Sequence, residues 1–165
     1  MVEILTPRLR LRRAKSADAA PLHGVFGDAR AMRYWSTPPH ETLEITRRFV
    51  QATIEAPDDE SCDFVIEYEG RAVGKAGCWR LPEVGYILHP ALWGQGLARE
   101  ALEAVIGRMF AVRGLEALTA DADPRNQRSL GLLARLGFRE THRGAHTWRV
   151  GDEWCDSVYL ELKRN

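Results

Sequence analysis

The sequence has no apolar run near the ~18–20 residues that a membrane-crossing helix needs, so a helical membrane protein is not expected. It also has no net charge, because 23 basic side chains balance 23 acidic ones. A broad basic field of the kind that binds nucleic acid is therefore missing. Cysteine is scarce: Cys62, Cys78 and Cys155 are odd in number and unclustered. Neither a disulfide framework nor a zinc site is expected from them. His142 and His146 stand four apart, a metal-binding spacing only on a helix, and Thr141 to Val150 reads as strand and turn. No metal is expected. The start, Met1-Val2-Glu3-Ile4-Leu5, lacks the basic-then-apolar pattern of a signal peptide, and the chain reads as cytoplasmic. There are no repeats and no low-complexity linkers. A chain of 165 residues with 45% hydrophobic and 28% charged content reads as one domain, 1–165, with enough chain for a sizeable core.

What the sequence does have is a glycine turn between a short apolar strand and a helix. Gly85-Tyr86-Ile87-Leu88 leads through His89-Pro90-Ala91-Leu92 into Trp93-Gly94-Gln95-Gly96-Leu97-Ala98. A helix N-terminus offers free N–H groups and the positive end of the macrodipole. Two glycines let the backbone approach a phosphate closely. The turn reads as an anion cradle, and the pyrophosphate of a cofactor is its expected occupant. It is not a Walker loop, since Leu97 and Ala98 stand where lysine and a hydroxyl residue belong. It is not a dinucleotide fingerprint either, because Arg99 occupies the third glycine position. A nucleotide-hydrolysing function is thereby nearly excluded.

A second segment, Asp123-Pro124-Arg125-Asn126-Gln127-Arg128-Ser129, precedes an apolar stretch ending at Gly137-Phe138. It reads as a strand end, an Asn126 N-cap, a short helix and a Gly137 C-cap. Around these, Arg8 to Arg13 alternates as a strand. Helices are expected from Ser16 or Asp18 to Val25, over Asp28 to Trp35, and from Glu41 or Thr42 to Ala56. In the last of these Ile45, Phe49, Ala52 and Ile54 are expected inward. Cys62–Tyr68 and Arg71–Arg80 form a hairpin around Glu69-Gly70, and Glu83–Leu88 is the next strand. Leu97, Ala101, Leu102, Val105, Ile106, Met109 and Phe110 share one helix face. Leu115 to Ala122 is a strand, and Phe138–Val150 pairs with Glu153–Lys163.

Taken together, Trp-Gly-Gln-Gly-Leu-Ala-Arg-Glu-Ala-Leu and Asn-Gln-Arg-Ser followed by Leu-Gly-Phe resemble the GCN5-related N-acetyltransferases. The run Leu5-Thr6-Pro7-Arg8-Leu9-Arg10-Leu11-Arg12 and the terminal Gly151-Asp152-Glu153-Trp154 narrow this to the branch that acetylates N-terminal amines of ribosomal proteins. The resemblance spans essentially the whole chain. It implies a mixed α/β fold: a mostly antiparallel sheet of about seven strands with a V-shaped splay, flanked by helices. It implies acetyl-CoA as donor and direct attack by an amine. The pyrophosphate would rest on amides of Trp93, Gly94, Gln95, Gly96, Leu97 and Ala98, and the pantetheine arm would pair with Tyr86, Ile87 and Leu88. Trp93 departs from the family pattern, which begins the motif with Gln or Arg. Arg99, Arg128 or Arg135 is a candidate for the ribose phosphate, against the alternative of a solvated helix face.

Asn126 is expected near the thioester as well as capping its helix. Many relatives carry a tyrosine seven residues later as the acid for the leaving thiolate, and here that position is Leu133. Ser129, or a water it holds, is the replacement candidate, against the alternative of an ordinary residue in the first turn of the helix. Glu83 is the candidate base or amine-binding carboxylate, with a surface strand glutamate as the alternative, and His89 is a weaker choice. Tyr34, Trp35 and Trp79 are expected to bind the acceptor, with Met32, Arg33 and Trp148 nearby. A lysine-type amine near pKa ~10.4 is about 3.5 kcal/mol harder to deprotonate at pH 7 than an α-amine near ~7.8. The lack of an unambiguous base therefore favours a protein or peptide N-terminus. An amino acid or antibiotic amine, and a non-catalytic acyl-CoA sensor, remain alternatives. Few acidic clusters are visible in the sequence, which argues against polyamines. Exposed strand edges near the C-terminus make a homodimer an open expectation.

Overall fold

The structure is a computed structural model, and it describes residues 2–165. In chain order the elements are β1 (Glu3–Leu5), β2 (Leu9–Arg12), α1 (Ala19–Phe26), α2 (Leu43–Glu55), β3 (Cys62–Tyr68), β4 (Arg71–Arg80) and β5 (Glu83–Leu88). Then follow α3 (Leu97–Ala111), β6 (Ala117–Ala122), α4 (Gln127–Arg135), β7 (Arg139–Val150) and β8 (Glu153–Lys163). Eight strands form one sheet in the order β1-β2-β3-β4-β5-β6-β8-β7. That is one more than expected, the addition being the short strand β1, which pairs antiparallel with β2.

All neighbours are antiparallel except β5 and β6. That parallel pair is joined at Glu83 and Thr119 alone, where Thr119 N–H donates to the Pro82 carbonyl at 3.1 Å. Beyond this point the two strands part. The sheet thus contains a wedge-shaped gap along the β6-facing edge of β5.

Two cores lie on opposite faces. One packs α3 and α4 against Phe64, Ile66, Val84, Leu88, Leu118 and Ala120. The other packs α1 and α2 against Val65, Ala72 and Ile87. Strand alternation produces this division, since successive side chains point to opposite faces. In β5, Val84, Tyr86 and Leu88 go to the first core and Ile87 to the second, as the sequence pattern predicts. The face of α3 that meets the sheet is Leu97, Ala101, Leu102, Val105 and Met109, all within 1% exposure. Truncating Leu102 there would cost about 2–5 kcal/mol.

Two expectations fail. Asp28 to Trp35 is a succession of turns, not a helix. Asp28 caps them by accepting from the Arg30 and Ala31 N–H groups, and such local side-chain bonds compete with helix formation. Helix α2 is also rotated from the expected phase. Ile45 and Ile54 are exposed at 40% and 39%, while Thr46 and Val50 are buried and Leu43, Phe49 and Thr53 half-buried. That is an i, i+3, i+4, i+7 stripe, one which includes two threonines that an apolar count passes over.

Thr46 is inward for a reason. Its hydroxyl meets His23 Nδ1 at 2.8 Å and His40 Nδ1 at 2.9 Å. A threonine has one proton to give, so at least one of the two rings must present an Nδ1–H to it. At the other end of the same face, Arg12 lies buried between Asp18 and Glu67. The Arg12 bonds hold the Glu67 carboxyl below its ordinary value. For Asp18, burial pushes upward, but the Arg12 and Lys15 bonds outweigh it and keep the group low.

Candidate active site

The glycine turn offers backbone more than side chains. Gly94 and Gly96 have φ of 77° and 78°, the left-handed region where side chains are strained. Gly96 is the N-cap of α3, so its turn aims the first free N–H groups of the helix outward. Gly94, Gln95 and Gly96 are exposed, Leu97 is buried beneath them and Ala98 is half-buried. The expected cradle is therefore open at its mouth.

Trp93 does more than fill a motif position. Its Nε1 donates to the Leu88 carbonyl at 2.9 Å, tying the end of β5 to the turn. The Arg128 guanidinium lies 4.4 Å from its ring centroid. A cation thus stands beside the cradle although residue 93 carries none. Across the turn, Arg8 donates to the Gln95 carbonyl at 2.8 Å and to Glu100 at 2.7 Å. Burial would raise the Glu100 carboxyl, but bonds from Thr6 and Arg8 hold it below its ordinary value. Arg8 was not among the expected site residues. Nothing in its spacing links it to residue 96, since the two are joined only by the packing of the β1–β2 turn on α3. Arg135 is exposed in the last turn of α4, at the opposite end of that helix from Asn126. Arg99 pairs with Glu103 on the outer surface.

Asn126 caps α4 by accepting from Ser129 N–H at 3.2 Å. Its amide NH2 is not used by the cap. The Tyr86 hydroxyl donates to Ser129 Oγ at 2.9 Å. Burial pushes the Tyr86 phenol up, with the Ser129 bond and the charges of Arg135 and Arg128 opposing. Leu133, at the position where many relatives carry tyrosine, is 2% exposed and points into the core. His89 is occupied as a cap, its Nδ1 accepting from Ala91 N–H at 3.1 Å.

The opposite face of the gap is built from side chains. A cleft of about 510 Å³ is lined by Glu83 and Gly85 of β5 and by Asp121 and Asp123 of the β6 end. Tyr34, Trp35, Phe49, Trp79 and Trp148 wall it. The expected acceptor residues are therefore brought together with Glu83. Trp79 is 54% exposed, and its Nε1 reaches Glu83 Oε1 at 3.4 Å. Trp148 donates to Asp121 at 2.7 Å. At the floor, buried Lys75 pairs with buried Asp63 and lies over the rings of Trp35 and Phe49, at 5.7 and 5.4 Å. A Cβ on Gly77 would come within 2.8 Å of Asp63 Oδ1, so glycine is needed there.

The expected scarcity of acidic clusters does not hold. Asp121, Asp123, Glu153 and Asp156 converge on the cleft with Glu83. Asp123 is held low by Arg125, which also pairs with Glu153, and Arg33 pairs with Glu153 as well. Glu83, Asp121 and Asp156 have no cationic partner among the described residues. Sequence separation hid this group, which draws on segments more than 70 residues apart. Among the described residues no cluster suits a metal ion, and no helix is long and apolar enough to cross a membrane.

A cradle of amides on one face, an amine-sized acidic cleft on the other and a gap between them is an arrangement for group transfer. A family model described as an acetyltransferase (GNAT) domain matches residues 8–139. The chain belongs to this family. It is an acetyl-CoA-dependent N-acetyltransferase. A spermidine N(1)-acetyltransferase of Escherichia coli K12 is 24% identical over 161 residues, covering 92% of this chain and 84% of that one. The ribosomal-protein uS5-alanine N-acetyltransferase of the same strain is 34% identical over 79 residues, 48% of this chain and 41% of that one. Among solved structures, a GNAT-family acetyltransferase from Bacillus anthracis matches with TM-score 0.86 and 24% identity, over 98% of both chains. The ribosomal-protein-S5-alanine acetyltransferase of Vibrio fischeri matches with TM-score 0.82 and 24% identity, over 100% of this chain and 98% of that one. The mixed α/β acetyltransferase fold is thereby shown, in keeping with the ribosomal-protein branch.

Proposed function

We propose that acetyl-CoA lies on the α3/α4 face with its pyrophosphate on the Trp93–Ala98 turn, and that a cationic primary amine enters the acidic cleft opposite. The observation that carries this reading is the β5–β6 gap, where the strands pair at Glu83 and Thr119 alone and Gly85 and Asp121 line the acidic cleft. The β6-facing edge of β5 beyond Glu83 lacks a strand partner, and the pantetheine arm would fill it as an extra strand does. The acetyl carbonyl would then lie at the gap, where Gly85 contributes no side chain. A Cβ there would meet nothing within 4 Å, so any larger residue would project into open space that the substrates need.

The acceptor arrives protonated and must lose a proton. Glu83 is the carboxylate on the cleft side of β5, and it takes the amine proton directly or through a water. The amine nitrogen then bonds to the acetyl carbon, the C–S bond breaks with its electron pair on sulfur, and the nitrogen loses its second proton through the same carboxylate to solvent. Ser129 and Asn126, on the other face, are the polar side chains next to the departing sulfur. Proximity contributes most of the rate here, since both reactants are held against one gap.

Three unpaired carboxylates and five aromatic rings favour an acceptor that carries positive charge beyond the reacting amine. The spermidine-acetylating relative supports a small polyamine-like acceptor. The uS5-alanine relative supports a second reading, a protein N-terminus. The deciding experiment is thiol release from acetyl-CoA against polyamines, aminoglycosides, free amino acids and peptides beginning with Ala, Ser or Met. Turnover on polycations, with peptides slower, is the expected result. Turnover on peptides alone would replace the acceptor assignment. CoA binding without turnover on any amine would point to an acyl-CoA sensor.

A further inference from the structure

Resting on the transfer reading above, we propose that Tyr86 is a positioning residue whose hydroxyl donates to Ser129 Oγ and so turns the Ser129 proton toward the leaving sulfur. The 2.9 Å bond joins a strand and a helix 43 residues apart, on the face of the sheet where the cradle lies. A serine hydroxyl has one proton and two acceptor sites. With Tyr86 filling an acceptor site, the Ser129 proton has to point elsewhere. The Asn126 cap does not compete for it, because Asn126 takes the Ser129 backbone N–H. Burial raises the Tyr86 phenol, so it keeps the proton it donates near neutral pH.

Reference acidities decide between orientation and proton transfer. A thiol near pKa ~8.5 yields a thiolate too weak to keep a proton from a phenol at ~10 or above. Tyr86 therefore orients, and Ser129 stabilises the developing thiolate by a hydrogen bond. Two protons leave the ammonium nitrogen, one before attack and one after it, both by way of Glu83 to solvent; the released thiolate takes one back, so the transfer releases one net proton. Leu133 points into the core and offers the sulfur no polar group, so Ser129 is the hydroxyl left to face it.

The test is a double-mutant cycle on Tyr86→Phe and Ser129→Ala, with kcat, acceptor KM and calorimetric CoA affinity measured for each. Tyr86→Phe keeps the ring and removes one hydrogen bond, so kcat falls about tenfold. CoA affinity and acceptor KM stay within about twofold, and Tyr86→Phe adds nothing in the Ser129→Ala background. Wild-type kcat in Tyr86→Phe overturns the proposal. So does an equal slowing of Ser129→Ala by the added substitution, or a loss of CoA affinity that accounts for the slowing. If Ser129→Ala is unimpaired while the wild type turns over, the transfer reading stands and the inference falls. If the wild type itself transfers to no amine, both fall.

Discussion

The two faces of the β5–β6 gap are built differently. On the α3/α4 face the groups proposed for the donor are amides, set by two left-handed glycines and one helix N-terminus within five residues of chain. On the α1/α2 face they are side chains from the turns after α1, from α2, β4, β5 and β6, and from the β7–β8 hairpin. The named relatives are acetyltransferases alike, and backbone can recognise a shared donor without a particular side chain. The acceptor differs between relatives, spermidine for one and a ribosomal-protein alanine for another, and the side-chain face is where such a choice is proposed to lie. Substitutions on the two faces should accordingly separate donor affinity from acceptor turnover.

The largest effect is expected at Glu83. Glu83→Gln keeps the shape and removes the proton acceptor, so kcat should fall by about 10²–10³ while CoA affinity stays unchanged. Single-turnover rates with saturating acetyl-CoA check this, and a wild-type rate would remove Glu83 from the mechanism. Next comes the cradle. Gly96→Val forces a branched residue into φ 78°, with the Arg8 guanidinium 3.4 Å from the new Cβ. The substituted turn relaxes from that conformation in the free protein, and restoring it for the phosphate at a cost of about 3 kcal/mol corresponds to about a hundredfold weaker CoA binding. Gly94→Ala meets nothing within 4 Å and carries backbone strain alone, so its loss should be about tenfold. Calorimetry with coenzyme A tests the ranking, and equal losses would mean that strain, not access, controls the turn. Trp148→Ala should raise acceptor KM about tenfold by removing one ring of the wall and the donor that holds Asp121. It should leave CoA affinity alone, and if both constants moved together the two faces would not be independent.

The same division explains what the sequence made legible. The cradle, the Asn126 cap, the Gly137 turn and strands β3 to β6 follow from local patterns, because each is set within a few residues by φ preference, capping or alternation. The Trp93–Arg128 stack, the Arg8 strut and the convergence of Glu83, Asp121 and Asp156 have no local pattern. They arise from strand order, above all from β8 lying between β6 and β7. The phase of α2 was missed for a related reason. Its buried stripe contains Thr46, which is inward because two histidines hold it, and nothing near Thr46 in sequence signals His23.

That histidine pair gives the smallest and most selective prediction. His40 is 7% exposed, stacks on Phe26 at 5.1 Å and leans on Phe49 at 5.8 Å. Phe49 and Trp35 line the acidic cleft, and Phe26 meets Trp35 edge-on at 6.0 Å. Burial, aided by the His23 charge, holds the His40 pKa below its ordinary 6.5. The neutral ring is therefore the form the folded wall prefers. Its contribution to stability is fully present above about pH 6.5 and is lost as pH falls through the lower folded value. The urea midpoint of the wild type should drop between about pH 7 and about pH 5 by more than that of His40→Gln, which has no such charge to acquire. Coenzyme A affinity should not follow this change, because no histidine of the pair touches the donor face. Parallel urea midpoints for the two proteins would show that the wall tolerates a charged His40. A fall in CoA affinity along the same curve would show that the faces share one folding unit after all.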